Sequence, residues 1–225
     1  MKFFALLSVA PLLALASPGL AQNDGPHGAT PDPAATAVVP EREWKTTPVA
    51  IETTLGTITV ALETERAPIT SANFLRYADQ HRLDGTVFYR VLKLEWGQQP
   101  NGLIQGGAQN DPDRILPPIA HEPTDKTGLS HVRGALSMAR YAPGSATADF
   151  TIMVGDVTSL DADPKSEDPD QQAGFAVFGH VTGGMDVVEA IYGQPIDPEK
   201  GEAFLKGQLL AQPVKIVRIS RVEAP

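Results

Sequence analysis

The run Phe88–Gly107, FYRVLKLEWGQQPNGLIQGG, sets a guanidinium in the middle of an expected β-strand. Strand alternation puts Phe88, Arg90 and Leu92 on one face. Arginine is seldom buried without a partner, so Arg90 is either a solvated edge residue or the anchor for something that docks there. Gln105 follows in the same run, just before Gly106-Gly107, where a strand enters a glycine turn and a polar side chain sits at a rim. Other chemistry-bearing residues form no constellation. The acidic stretch Asp161–Gln172 lacks the mid-loop glycine and terminal glutamate of a calcium loop. His81, His121, His131 and His180 show no metal-ligand spacing, and Ser137 and Ser145 have no nucleophile-elbow setting. No metal and no cofactor is implied.

The elements that must position Arg90 and Gln105 follow from the patterning. Val49 and Ile51, then Ile58, Val60 and Leu62, alternate with polar residues about Leu55-Gly56, the pattern of a β-hairpin. In APITSANFLRYADQ, Pro68 suits a first helical turn, and Ser71, Phe74, Leu75 and Ala78 fall at helical spacing. Further strands are expected at Thr86–Leu92, Leu103–Gln105, Gly134–Arg140, Phe150–Val154, Phe175–Val181 and Val214–Val222. A second helix is expected in GGMDVVEAIYG, with Met185, Val188 and Ile191 on one face. Roughly eight short strands in one domain suggest a closed barrel or a sandwich, and closure removes exposed edges. The expected fold is mainly β: a closed eight-stranded antiparallel β-barrel capped by two α-helices.

The chain has 225 residues, no cysteine, a net charge of −9 and a sequence pI near 5.0. A cysteine-free domain of this length holds together by its core alone. The acidic balance, with no Lys/Arg cluster, argues against nucleic acid and anionic membrane surfaces. Met1-Lys2, the apolar run Phe3–Ala16 and the small residues up to Ala21 read as a signal peptide over 1–21. A flexible Pro/Ala-rich leader is expected over 22–47 and the folded domain over 48–223. No stable membrane insertion is expected, because the apolar run is too short and is broken by Pro11 and Pro18.

In chain order, FYRV, GLIQGG, RGALSMAR, SATADFTIMV, SLD, GFAVFGHV and GGMDVVEAI resemble the cyclophilin family of peptidyl-prolyl cis-trans isomerases, from about Val49 to Val222. The resemblance implies the same eight-stranded barrel. It places Arg90 at the family's catalytic arginine and Gln105 at the glutamine that hydrogen-bonds the substrate backbone. Leu103, Leu160 and Phe175 match positions around the proline pocket, and Ala139 and Arg140 match the strand edge along which the peptide lies. The implied partners are proline-containing unfolded or extended polypeptides, bound by a monomer; the expected signal peptide, once cleaved, points to the periplasm or outside the cell.

Several positions depart from the family pattern. Tyr89 replaces a histidine, a change that need not touch the groove. Gly102 stands where a pocket phenylalanine precedes Leu103. Asp149 and Thr151 stand for glutamine and phenylalanine, and Ser159 for an aromatic residue. A shallower proline pocket, weak or specialised isomerase activity and doubtful cyclosporin sensitivity follow. Asp149, if near Arg90, is expected to pair with it. Trp96, in the lengthened connection before Gln105, is expected to anchor that loop rather than refill the pocket. A runner-up reading keeps the fold as a proline-peptide binding module without catalysis. A third, a barrel carrying an apolar ligand, requires a hollow interior, against which Ile58, Val60, Phe88, Met138 and Phe178 argue.

Overall fold

A computed structural model describes residues 42–222. The expected signal segment and all but the end of the leader lie outside the described residues. The hairpin forms as β1 (Thr47–Thr53) and β2 (Gly56–Leu62). Then come α1 (Pro68–Asp79), β3 (Val87–Lys93), β4 (Gly102–Gly107), α2 (Thr124–Thr127), β5 (Ala135–Met138) and β6 (Phe150–Met153). The chain continues through α3 (Pro169–Ala173), β7 (Ala176–Gly183), α4 (Met185–Tyr192), β8 (Ile196–Asp197) and β9 (Leu209–Arg221).

The sheet runs β1-β2-β7-β5-β6-β4-β3-β9, and a β1–β9 pairing closes those eight strands into an antiparallel barrel. Two-residue β8 pairs with the start of β9 and stands outside the closure. It is too short to leave a period in the sequence, as are the single-turn helices α2 and α3. The two longer helices are those the periodicity predicts. Among the described residues no helix is long and apolar enough to cross a membrane.

The barrel is filled. Ile58, Val60, Phe88, Met138 and Phe178 are all buried in one cluster, which leaves no room for a carried ligand. Phe74 of α1 plugs one end: its ring meets Phe150 at 5.2 Å edge-on and Phe178 at 5.3 Å. Such contacts are worth about 0.5–1.5 kcal/mol each beyond area burial. Ala67 gives α1 no side-chain cap. Glu122 supplies it from a distant loop, accepting from Ile69 N, Thr70 N and the Thr70 hydroxyl, which suits the positive end of a helix.

A smaller apolar cluster lies on the outer face, built from Leu103, Ala135, Met153, Val157 and Val177, with Leu92 and Leu160 against it. Leu103 and Leu160 therefore belong to the barrel's outside, not to its interior.

Candidate active site

One irregularity in β3 aims the site. The register of β3 against both β4 and β9 shifts between Phe88 and Arg90. Phe88 and Val91 are both buried inside the barrel, so Tyr89 is an extra residue and the strand is bulged. Phe88 and Arg90 thus face opposite sides, contrary to simple alternation. The bulge turns Arg90 and Leu92 outward together, and the cation never sits in the core.

Register then assembles the site. Arg90 pairs with Gln105, Gln105 with Thr151, and Thr151 with Ser137, one row across β3, β4, β6 and β5. In the next row Leu92 pairs with Leu103, and Leu103 with Met153. Of these two rows, all but the buried Met153 line a cleft of about 530 Å³. Arg90, Gln105, Leu103, Ala139, Arg140, Asp149, Thr151, Leu160 and Phe175, the full set expected from the sequence, all line it. Another hollow, between Arg82 and Arg114, has guanidiniums already bonded to main-chain carbonyls.

Arg90 is half-buried and held by neutral acceptors. Its Nε donates to Gln208 Oε1 at 2.9 Å and its Nη1 to Gln105 Oε1 at 2.7 Å. A guanidinium has five N–H donors, so three remain without a protein acceptor among the described residues. Burial pulls its pKa down from the ordinary value, yet an arginine stays charged. The Asp149–Arg90 ion pair expected from the sequence does not form. Asp149 instead accepts from the Tyr89 hydroxyl at 2.9 Å and from Gln109 N at 2.9 Å. Gln105 Nε2 donates to the Tyr89 oxygen at 2.6 Å. A directional chain results, from Arg90 through Gln105 and Tyr89 to Asp149, in which each member polarises the next.

Tyr89 is therefore part of the site, a role that the histidine-to-tyrosine departure alone did not reveal. Burial, then the facing Asp149, push its phenol far above the ordinary value. Burial likewise raises the Asp149 carboxyl, against hydrogen bonds from Gln109 N, Tyr89 and Ala108 N. Gly107 makes room for that carboxylate: with φ +139°, a Cβ there would lie 2.2 Å from Asp149 Oδ1.

The far wall is built by Arg140. Its side chain is 2% exposed and its Cζ lies 4.5 Å from the centre of the Phe175 ring. It donates to Gly174 O, Tyr141 O and Asp170, so the side chain holds Phe175 and its loop rather than facing the cleft. Its main-chain N–H and carbonyl have no protein partner among the described residues, an open edge for an extended peptide. Beneath, Ser137 Oγ lies 2.8 Å from His131 Nε2, and His131 Nδ1 lies 2.5 Å from Asp161 Oδ1. The histidine is 0% and the serine 1% exposed, so this chain braces Leu160-Asp161 against β5. Burial would raise the Asp161 carboxyl, but hydrogen bonds from His131 and Ser130 outweigh it and hold it below the usual range.

One departure in the pocket has a steric cause. Gly102 has φ +135°, and a Cβ there would lie 2.0 Å from Leu92 O, so this backbone admits no ring. Thr151 bonds across to Ser137 O, and Ser159 is exposed. Trp96 is 51% exposed and does not line the cleft. Its carbonyl, not its indole, anchors the loop, accepting from Gln99 and Asn101 side chains. Sequence reasoning missed Gln208, Phe204 and Leu205, which enter the cleft's surroundings from the β8–β9 connection; AFLKGQ carries no period or motif to flag them.

The chain matches the family described as cyclophilin type peptidyl-prolyl cis-trans isomerase/CLD over residues 48–223. The chain belongs to the cyclophilin family. A peptidyl-prolyl cis-trans isomerase of Acinetobacter baylyi is 37% identical over 177 residues, covering 77% of this chain and 84% of that protein. Peptidyl-prolyl cis-trans isomerase B of Escherichia coli is 37% identical over 150 residues, covering 64% of this chain and 84% of its own. Among solved structures, a Cryptosporidium parvum cyclophilin type isomerase, determined in the presence of the dipeptide Ala-Pro, superposes with a TM-score of 0.62 at 19% identity. It covers 79% of this chain and 99% of that one. The barrel and its outer cleft are thus a cyclophilin fold.

Proposed function

We propose that this cyclophilin catalyses rotation about X-Pro bonds in unfolded or extended polypeptides, and that it does so on exported chains in the periplasm or outside the cell. The observation that carries the catalytic reading is Arg90: a fixed cation at the cleft surface with three donors uncommitted to protein. Rotation about an amide costs about 18–20 kcal/mol because resonance is lost, and uncatalysed X-Pro exchange takes tens to hundreds of seconds. In the twisted state the lone pair localises on the proline nitrogen. An Arg90 N–H aimed at that nitrogen stabilises the twisted state more than either planar one, which lowers the barrier. Leu103, Leu160 and Phe175 hold the ring, Gln105 offers its amide to the substrate backbone, and the open edge at Arg140 receives the extended chain. No bond is broken, so no nucleophile is needed. Export is supported by the N-terminal sequence pattern.

A second reading, binding without catalysis, is favoured by the rings that Gly102 and Thr151 do not supply. Burying a phenylalanine-sized surface is worth about 1.5–3 kcal/mol, so proline is held weakly. Isomerisation of a short proline peptide by wild type and Arg90→Ala separates the two. Each ~1.4 kcal/mol of selective stabilisation is about tenfold in rate. Catalysis predicts a loss of on the order of a hundredfold in kcat/KM; equal rates for both proteins would leave only the binding module.

A further inference from the structure

We infer that the turn Ala203–Leu205 forms an apolar subsite that selects a bulky apolar residue adjacent to the substrate proline. The inference rests on the isomerase reading and adds its substrate preference. Phe204 is 68% exposed, yet it lines the cleft, as does half-buried Leu205. The phenyl ring centre lies 5.7 Å from Arg90 Cζ, so a chain whose proline nitrogen faces Arg90 passes this ring with a neighbouring residue.

The turn is fixed rather than loose. Gln208 joins it to the catalytic cation: its Oε1 accepts from Arg90 Nε, and its Nε2 donates to Phe204 O at 2.7 Å. Gly207 N donates to Lys200 O, and Leu205 N to Glu202 O, closing the loop on itself. Gly201 allows this, since at φ +89° a Cβ would lie 2.5 Å from Leu205 O. An exposed ring on a rigid support next to the reacting atoms gives its apolar surface to a ligand at little ordering cost. It also places apolar surface at the cleft where Gly102 and Thr151 supply none, beside the proline position instead of beneath it.

The test is a peptide series Ala-X-Pro-Y, with Phe, Leu, Ala or Glu at X and then at Y, followed by NMR exchange for wild type, Phe204→Ala and Phe204→Leu. Wild type is expected to favour Phe or Leu over Ala at one flank by on the order of tenfold in kcat/KM. Phe204→Ala brings that ratio to within about twofold of unity, and Phe204→Leu leaves it in between. A ring that merely props Arg90 would slow every peptide together and leave the ratio intact. That result overturns the inference, as does a wild type without preference at either flank. Should wild type turn over none of the peptides, the isomerase reading falls separately. Chemical-shift titration of the same peptides then decides the subsite: tighter binding of a Phe-flanked peptide that Phe204→Ala abolishes supports it, and equal affinities sink it.

Discussion

Arg90 and Arg140 both line the cleft, yet Arg90 gives two donors to amide oxygens and keeps three, while all three nitrogens of Arg140 donate to Gly174, Tyr141 and Asp170. Arg140 also packs over the Phe175 ring and has almost no exposed surface. The acceptors, not the residue type, set what each cation does. Neutral amides fix the Arg90 plane without cancelling its charge, and the carboxylate linked to it, Asp149, is reached only through Gln105 and Tyr89. A saturated guanidinium is structural; a partly satisfied one at a surface is poised for a ligand.

The sharpest way to break this contrast is to change both arginines in the same way. Arg90→Lys keeps a charge but loses the fork that two glutamines orient, so kcat/KM is expected to fall by on the order of a hundredfold with little change in melting temperature. Arg140→Ala should do the reverse in kind. Five hydrogen bonds and a ring contact disappear, costing roughly 2–3 kcal/mol of stability. Phe175 loses its backing, and KM rises about tenfold with kcat much less affected. Equal effects of the two changes on stability would erase the distinction.

Asp149 sharpens the comparison from the Arg90 side. Its carboxyl is raised by burial, so the folded state favours the neutral form. That contribution to stability is complete below the unfolded-state pKa and is lost as pH rises through the raised folded pKa. Activity runs the other way, because the ionised form is the stronger acceptor for Tyr89 and tightens the chain to Arg90. Asp149→Asn is therefore expected to lower kcat/KM by about three- to tenfold at neutral pH. On acidification through the raised pKa, wild type should gain stability relative to the variant while its rate falls toward the variant's. Parallel pH profiles would show that the carboxylate is a bystander.

Much of the barrel was legible because its cause is local. Alternating apolar residues mark β1 and β2, Pro68 marks the start of α1, and the buried Val49, Ile51, Ile58, Val60 and Leu62 follow the period of two. The bulge at Tyr89 was not legible, since a period of two cannot reveal an extra residue, and it reversed the face assigned to Arg90 relative to Phe88. Motif resemblance nonetheless brought all nine expected site residues to one cleft. What it could not give was pairing: Asp149 turns to Tyr89 because the bulge brings that hydroxyl between Asp149 and Gln105. Gln208 and Phe204 come from a turn whose position depends on β8 and β9 being paired, a tertiary fact with no local signature.

The smallest expected effect probes the wall opposite Arg90 without touching either arginine. Asp161 accepts from His131 N, His131 Nδ1 and the Ser130 hydroxyl, and its carboxyl is held below the usual range. Its folded-state pKa is depressed, so its contribution is present above the unfolded-state value and is lost as pH falls through the folded one. Asp161→Asn removes the charge and should cost about 1–2 kcal/mol at neutral pH, a deficit that closes in acid as wild type loses the same bonds. Because Leu160 precedes it and lines the cleft, KM should rise two- to threefold, on the order of what a slightly displaced apolar contact gives. The rate at saturation should stay near wild type, since nothing in this chain bonds to Arg90. A fall in kcat instead would mean that the two walls move together, and the division of labour between the arginines would have to be redrawn as one coupled network.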